Sequence, residues 1–119
     1  MNINPIIELV FKDFELDGIQ IPVSFLFYTG KSDSYLTYYT YHEEPSLYSC
    51  DSNEAEIASV TIDIFSRNNF KILVETVKQK MKNGGFTWQN NASETYEPDT
   101  KYFHVPINFT IGIQKPQNN

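Results

Sequence analysis

Two histidines, one cysteine and fifteen acidic residues supply most of the side chains suited to acid–base, nucleophilic or metal chemistry. The richest stretch is residues 93–113, "SETYEPDTKYFHVPINFTIGI", which crowds Glu94, Glu97, Asp99, Tyr102 and His104 together. A general base needs a group to orient it and a pocket for its substrate. Asp99 and Glu97 are the carboxylates nearest to His104 in sequence, and no spacing fixes either beside the ring, so His104 reads as a surface or interface histidine. His42, Glu43, Glu44 and Cys50 form a second cluster. Zinc sites use tight pairs such as CxxC or HxxxH, which two distant histidines and one cysteine do not supply. That cluster reads as a solvated acidic segment, with no metal and no cofactor. Asp51, Glu54 and Glu56 beside Cys50 disfavour a thiolate and so oppose nucleophilic use. No GxSxG occurs, and "NGGF" follows a helical pattern where a phosphate cradle would precede one. These patterns contain no enzyme signature.

The elements that must position these residues are legible as periodicities. "NPIIELVFKDFELDG" reads as a short helix, with Asn4 as N-cap, Pro5 at the first helical position and Gly18 as its end. "IQIPVSFLFYTG" alternates, placing Ile21, Val23, Phe25 and Phe27 on one face. The turn residues "TGKSD" and the strand "SYLTYYTY" follow, so the pair reads as a hairpin. "ASVTIDIFS" is expected to be a central strand burying Val60, Ile62 and Ile64. "RNNFKILVETVKQKMKNGG" is the clearest helix: Phe70, Leu73, Val74, Val77 and Met81 make one stripe, Ser66 or Asn68 caps its start, and Gly84 and Gly85 stop it. "FTWQ" is a short strand and "NNASETYEPDT" a polar loop. In "KYFHVPINFTIGI", Phe103, Val105, Ile107, Phe109, Ile111 and Ile113 alternate with Tyr102, His104, Pro106, Asn108, Thr110 and Gly112. The order α-β-β-β-α-β-β implies an α+β fold. Its mostly antiparallel sheet has about five strands, with two helices packed on one face. The 119 residues are expected to form a single domain with a core over about residues 4–114 and a frayed C-terminal tail.

Charge narrows the partners. A formal net charge of −6 argues against gripping a phosphate backbone, which takes clustered Lys and Arg. Cys50 has no intramolecular partner for a disulfide, which points to a reducing compartment. The N-terminus lacks a basic n-region and reaches Glu8 before any long apolar run, so neither a signal peptide nor a membrane span is expected. Arg67, Lys71, Lys78, Lys80 and Lys82 lie in or beside the second helix. Glu43, Glu44, Asp51, Glu54, Glu56, Glu94, Glu97 and Asp99, eight of the fifteen acids, lie in two long loops. Opposite charge on separate surfaces suits a head-to-tail contact between copies, which closes into a ring when the rotation permits. The contact candidates are Glu43, Glu44, Asp51, Glu54, Lys78, Lys80, Lys82, Glu97, Asp99, Tyr102 and His104. Two other readings stand beside this one: a small intracellular ligand-binding domain with a pocket lined by Tyr38, Tyr41, Trp88 and Tyr102, and an enzyme using His104 with Asp99 or Glu97.

The progression "IPVSFLFYTGKSDSYLTYYTY", "VTIDIFSRNNFKILVETVKQKMKNGGF" and "TYEPDTKYFHVPINFTIGI" resembles the small tail-terminator and tail-completion proteins of long-tailed bacteriophages and prophages of Gram-positive bacteria. The resemblance spans Pro5 to Ile113 and rests on motifs of shape, with no catalytic residues to carry over. It implies a six-subunit ring on the end of the tail-tube protein that stops tube growth and joins the head connector. It also implies a place at the head-proximal end of the virion tail, after assembly in the host cytoplasm. DNA would cross the ring's lumen without specific binding, and no membrane would be involved. A head-completion or connector protein is the alternative within the same class.

Overall fold

In the computed structural model, residues 3–43 and 55–114 are described. Pro5 lies in the first turn of α1 (Asn4–Val10), where the missing N–H would have no helical partner anyway. The N-cap is Ile3, one residue earlier than expected. The Asn4 side chain accepts instead from Thr40 Oγ1 at 3.1 Å, which ties the helix to the sheet. The helix also stops well before Gly18. β1 (Glu15–Leu16) and β2 (Ile19–Gln20) form a small antiparallel hairpin, with Asp17 at φ 53 and Gly18 at φ 78 in its turn. Two consecutive left-handed residues match the twist of the flanking strands, and Asp-Gly is a favoured pair for that job. Gly18 is therefore a turn residue and not a helix stop.

The expected hairpin across residues 19–41 is not formed. β3 (Val23–Phe25) runs parallel to β4 (Ser34–Glu43), with Val23 opposite Leu36. Leu26, at φ 69, turns the chain aside, and the Phe27 N–H donates to the Phe25 carbonyl at 2.8 Å. The alternation that suggests a long strand is thus cut after three paired residues, and Phe25, Leu26 and Phe27 are left exposed.

β5 (Ala55–Ser66) pairs antiparallel with β4 on one side and with β8 (Tyr102–Gln114) on the other, so it is central as expected. β6 (Thr87–Asn91) and β7 (Thr95–Glu97) both pair with the outer edge of β8, giving the order β3-β4-β5-β8-β6. β7 corrects the reading of "NNASETYEPDT" as loop alone. Pro106 faces the link between β6 and β7: its carbonyl accepts from the Ala92 N–H at 2.9 Å. The N–H and C=O of one residue in an antiparallel strand point to the same side, so the missing donor costs the β5–β8 ladder nothing.

α2 (Phe70–Asn83) is capped by Asn69, whose side chain accepts from the Lys71 N–H at 3.1 Å. Ser66 and Asn68, the expected caps, bond to each other instead, Asn68 N–H to Ser66 Oγ at 3.0 Å. Leu73, Val74, Val77 and Met81 are buried against Ala58, Val60, Ile62, Ile64, Val105, Ile107 and Phe109. Ile3, Ile7, Phe11 and Phe14 extend the same core beneath the N-terminal segment. A Cβ at Gly84 would lie 2.5 Å from Val10 Cγ2, so the close approach of the two helix ends requires glycine there. The fold is α+β, a mostly antiparallel sheet with two helices. Their apolar faces pack into the core on one side of it. No helix among the described residues is long and apolar enough to cross a membrane.

Candidate functional site

Strand alternation gives the sheet a second face, turned away from the core, and strand register decides what meets there. Tyr35 on β4, Phe65 on β5 and His104 on β8 stand side by side in one row. Tyr35 and Phe65 stack at 4.7 Å between centroids, and Phe65 and His104 at 4.3 Å with planes 8° apart. Tyr28 extends the row at 4.4 Å from Tyr35. Within the row the inner rings, Tyr35 and Phe65, each have a ring on both sides and offer little open π-surface to a stacked base. Burial, with Tyr102, Glu97 and Tyr28 nearby, pushes the Tyr35 hydroxyl above its ordinary 10.0.

The partner of His104 is Asp63, with Nε2 and Oδ1 2.8 Å apart. Neither Asp99 nor Glu97 takes that place. Glu97 accepts from Thr100 Oγ1 at 3.0 Å, and Asp99 is exposed in the turn before β8. The imidazole is thus held on one edge by a carboxylate and on one face by Phe65. Farther along β8 the bonds are between uncharged groups: Thr61 Oγ1 donates to Asn108 Oδ1 at 2.6 Å, Asn108 Nδ2 to Asn90 Oδ1 at 2.8 Å, and Gln89 Nε2 to Thr110 Oγ1 at 2.8 Å. These cross-strand bonds spend the polar groups on holding β5, β8 and β6 together.

Tyr102 is buried and its hydroxyl donates to the Ser32 carbonyl at 2.6 Å. The Arg67 guanidinium lies 4.2 Å from that ring's centroid, donates from Nε to the Thr100 carbonyl at 2.9 Å and pairs with Asp33 at 3.2 Å. Arg67 therefore pins the segment before β4 and the turn before β8 to one end of the sheet. Sequence reasoning missed this clamp and Asp63. Asp63 stands on the polar alternation of "VTIDIFS", as His104 does on its own strand, but only register brings them together.

The three lysines separate. Lys78 sits 4.6 Å from the centroid of Trp88 and 3.7 Å from Glu75, Lys80 folds back to 5.4 Å over Phe14, and Lys82 lines a groove with Lys78. That groove, about 410 Å³, runs between α2 and β6 and is floored by Phe86, Thr87 and Trp88. Phe25, Leu26 and Phe27 project at the opposite edge of the sheet. Tyr38 and Tyr41 point to opposite faces of β4, so they line no common pocket. Glu43 lies at the end of β4 opposite Ile57; Glu44, Asp51 and Glu54, like Cys50, fall outside the described residues. The cluster read at His42, Glu43, Glu44 and Cys50 falls outside the described side chains. Among the described residues no group of three or more His, Cys, Asp and Glu is placed to hold a metal ion.

The sheet thus has one face covered by the helices and one that carries the His104–Asp63 pair and the cross-strand polar bonds. A similar fold occurs in a chain of the virion of a native gene transfer agent particle. The identity is 7%, the TM-score 0.53, and the match covers 94% of this chain and 86% of that one. No protein-family profile matches the chain, and no curated protein does.

Proposed function

We propose that the chain is a non-enzymatic structural protein of a phage-like virion, and within that class a tail terminator. In this role, copies form a hexameric ring on the last ring of the tail tube, halt its polymerisation and offer a surface to the head connector. The observation that carries the reading is the fold shared with a chain of a gene transfer agent virion over nearly the full length of both. Three features support it. Polar side chains of the open sheet face are committed to cross-strand bonds, and His104 on that face is held by Asp63 and Phe65. The net charge of −6 suits a channel that DNA must cross without sticking. Apolar residues are exposed at both lateral edges of the sheet, where neighbours in a ring would meet.

The test is electron microscopy of the purified protein mixed with tail-tube protein from the same genome, recording tube lengths and ends. Rings seated on tube ends, with elongation halted, are the expected result. Tubes that keep growing with bare ends overturn the terminator role, and binding to isolated connectors would then favour a head-completion protein.

A further inference from the structure

We infer that copies of this chain join head to tail by seating the Phe25–Leu26–Phe27 knob of one in the α2–β6 groove of the next. The inference rests on the ring reading and names the surfaces that would build it.

The knob is unusual for a free edge. Phe25, Leu26 and Phe27 are 44%, 57% and 69% exposed, three consecutive large apolar side chains at the rim of the sheet. Given the 150–250 Å² that an aromatic residue can bury, they leave roughly 300 Å² of apolar surface open. That is the size of a functional patch on a monomer and a fitting centre for a contact of about 800 Å² per partner. Leu26 holds a left-handed backbone at φ 69, a conformation that disfavours a branched side chain. Its N–H is anchored to the Tyr38 carbonyl at 2.9 Å, so the strained residue is fixed in place. A fixed, strained and apolar protrusion is what a neighbour would need to find already formed.

The groove is its complement. It is a concave surface lined by Phe86, Thr87 and Trp88, the last 48% exposed. Phe25 stands opposite Tyr38 and Trp88 opposite Phe109, both on the core side of the sheet, so knob and groove occupy the same layer at opposite edges. Charge agrees. Lys78 and Lys82 rim the groove and outnumber Glu75, whereas the exposed Glu8 of α1 lies close enough to act on Tyr38, whose ring is 5.5 Å from that of Phe25. One chain thus carries both halves of a contact, and two different surfaces on identical copies make a heterologous interface that can close. Lys80, engaged with Phe14, takes no part.

The test uses full chains in a Cys50→Ser background, with tail-tube protein present. One preparation carries Phe27→Cys and the other Gln79→Cys, a residue lining the groove. Under mild oxidation the mixture is expected to give interchain disulfides that neither preparation gives alone. Absence of the mixed disulfide, or equally strong Phe27→Cys homodimers, overturns the contact. A charge exchange provides a second readout. Lys78→Glu and Glu8→Lys should each weaken self-association about tenfold, and the two together should restore it. Failure of the double variant to recover also overturns the proposal. Rings on tube ends without the cross-link would remove this contact and leave the terminator reading standing. Cross-linked chains that never seat on tubes would do the reverse.

Discussion

At the scale of the residue, Tyr102 shows how a polar group in an interface-like segment can serve the fold. Its hydroxyl reaches the Ser32 carbonyl across 70 positions of sequence, and Arg67 covers its ring. Tyr102→Phe removes the donor and leaves a half-buried carbonyl without it, so stability should fall by about 1 kcal/mol, measured by urea unfolding. Titration gives a second expectation. Burial first, then neighbouring charge, raises the tyrosine pKa values of Tyr35 and Tyr38 above 10.0. A folded state that holds a proton more tightly than the unfolded state keeps that contribution in full below pH 10 and loses it as pH rises through the folded value. Melting temperatures should therefore drop above pH 10, and the drop should shrink in Tyr35→Phe and Tyr38→Phe. At this scale the sequence was readable for residue type and face but not for partner. His104 sits on the polar alternation of its strand, yet its carboxylate comes from Asp63, and nothing local in either segment encodes the register that joins them.

At the scale of the element, the longest periodic segments behaved as their patterns require. The α2 stripe and the alternation of β5 and β8 are each sustained long enough to outweigh local competition. The failures fall where the pattern is short. Residues 11–17 carry enough apolar spacing to continue a helix, but the Asp17-Gly18 pair favours the hairpin turn. No atom lies within 4 Å of a Cβ placed at Gly18, so Gly18→Ala tests conformation alone. At φ 78 the substitution should destabilise by about 1 kcal/mol, read by thermal or urea unfolding. Around Leu26 the alternation of "VSFLF" implies a strand that the left-handed kink cuts short. Leu26→Gly relieves that backbone conformation at about 1–2 kcal/mol per residue, offset in part by the added entropy of the unfolded chain. The monomer should melt no lower than the parent, while ring formation, followed by light scattering or microscopy, should weaken. Loss of stability in parallel with assembly would instead place Leu26 among the residues that hold the fold.

At the scale of the whole molecule, the fold disperses the basic residues that the sequence gathers in and beside α2. Arg67 is engaged by Asp33 and the Thr100 carbonyl, Lys80 lies over Phe14, and Lys78, paired with Glu75 and set over Trp88, lines the α2–β6 groove with Lys82. Exposed charges are screened over about 10 Å at 0.1 M salt. Self-association measured by sedimentation should therefore weaken as salt rises, while its apolar centre keeps it from vanishing. The chain contains a single tryptophan, and Trp88 lies on the floor of the groove with the Lys78 ammonium above its ring. All of the protein's indole fluorescence thus comes from that one surface. Covering it would shift the emission to shorter wavelength and shield it from iodide, so each preparation reports without a label how many of its grooves are filled.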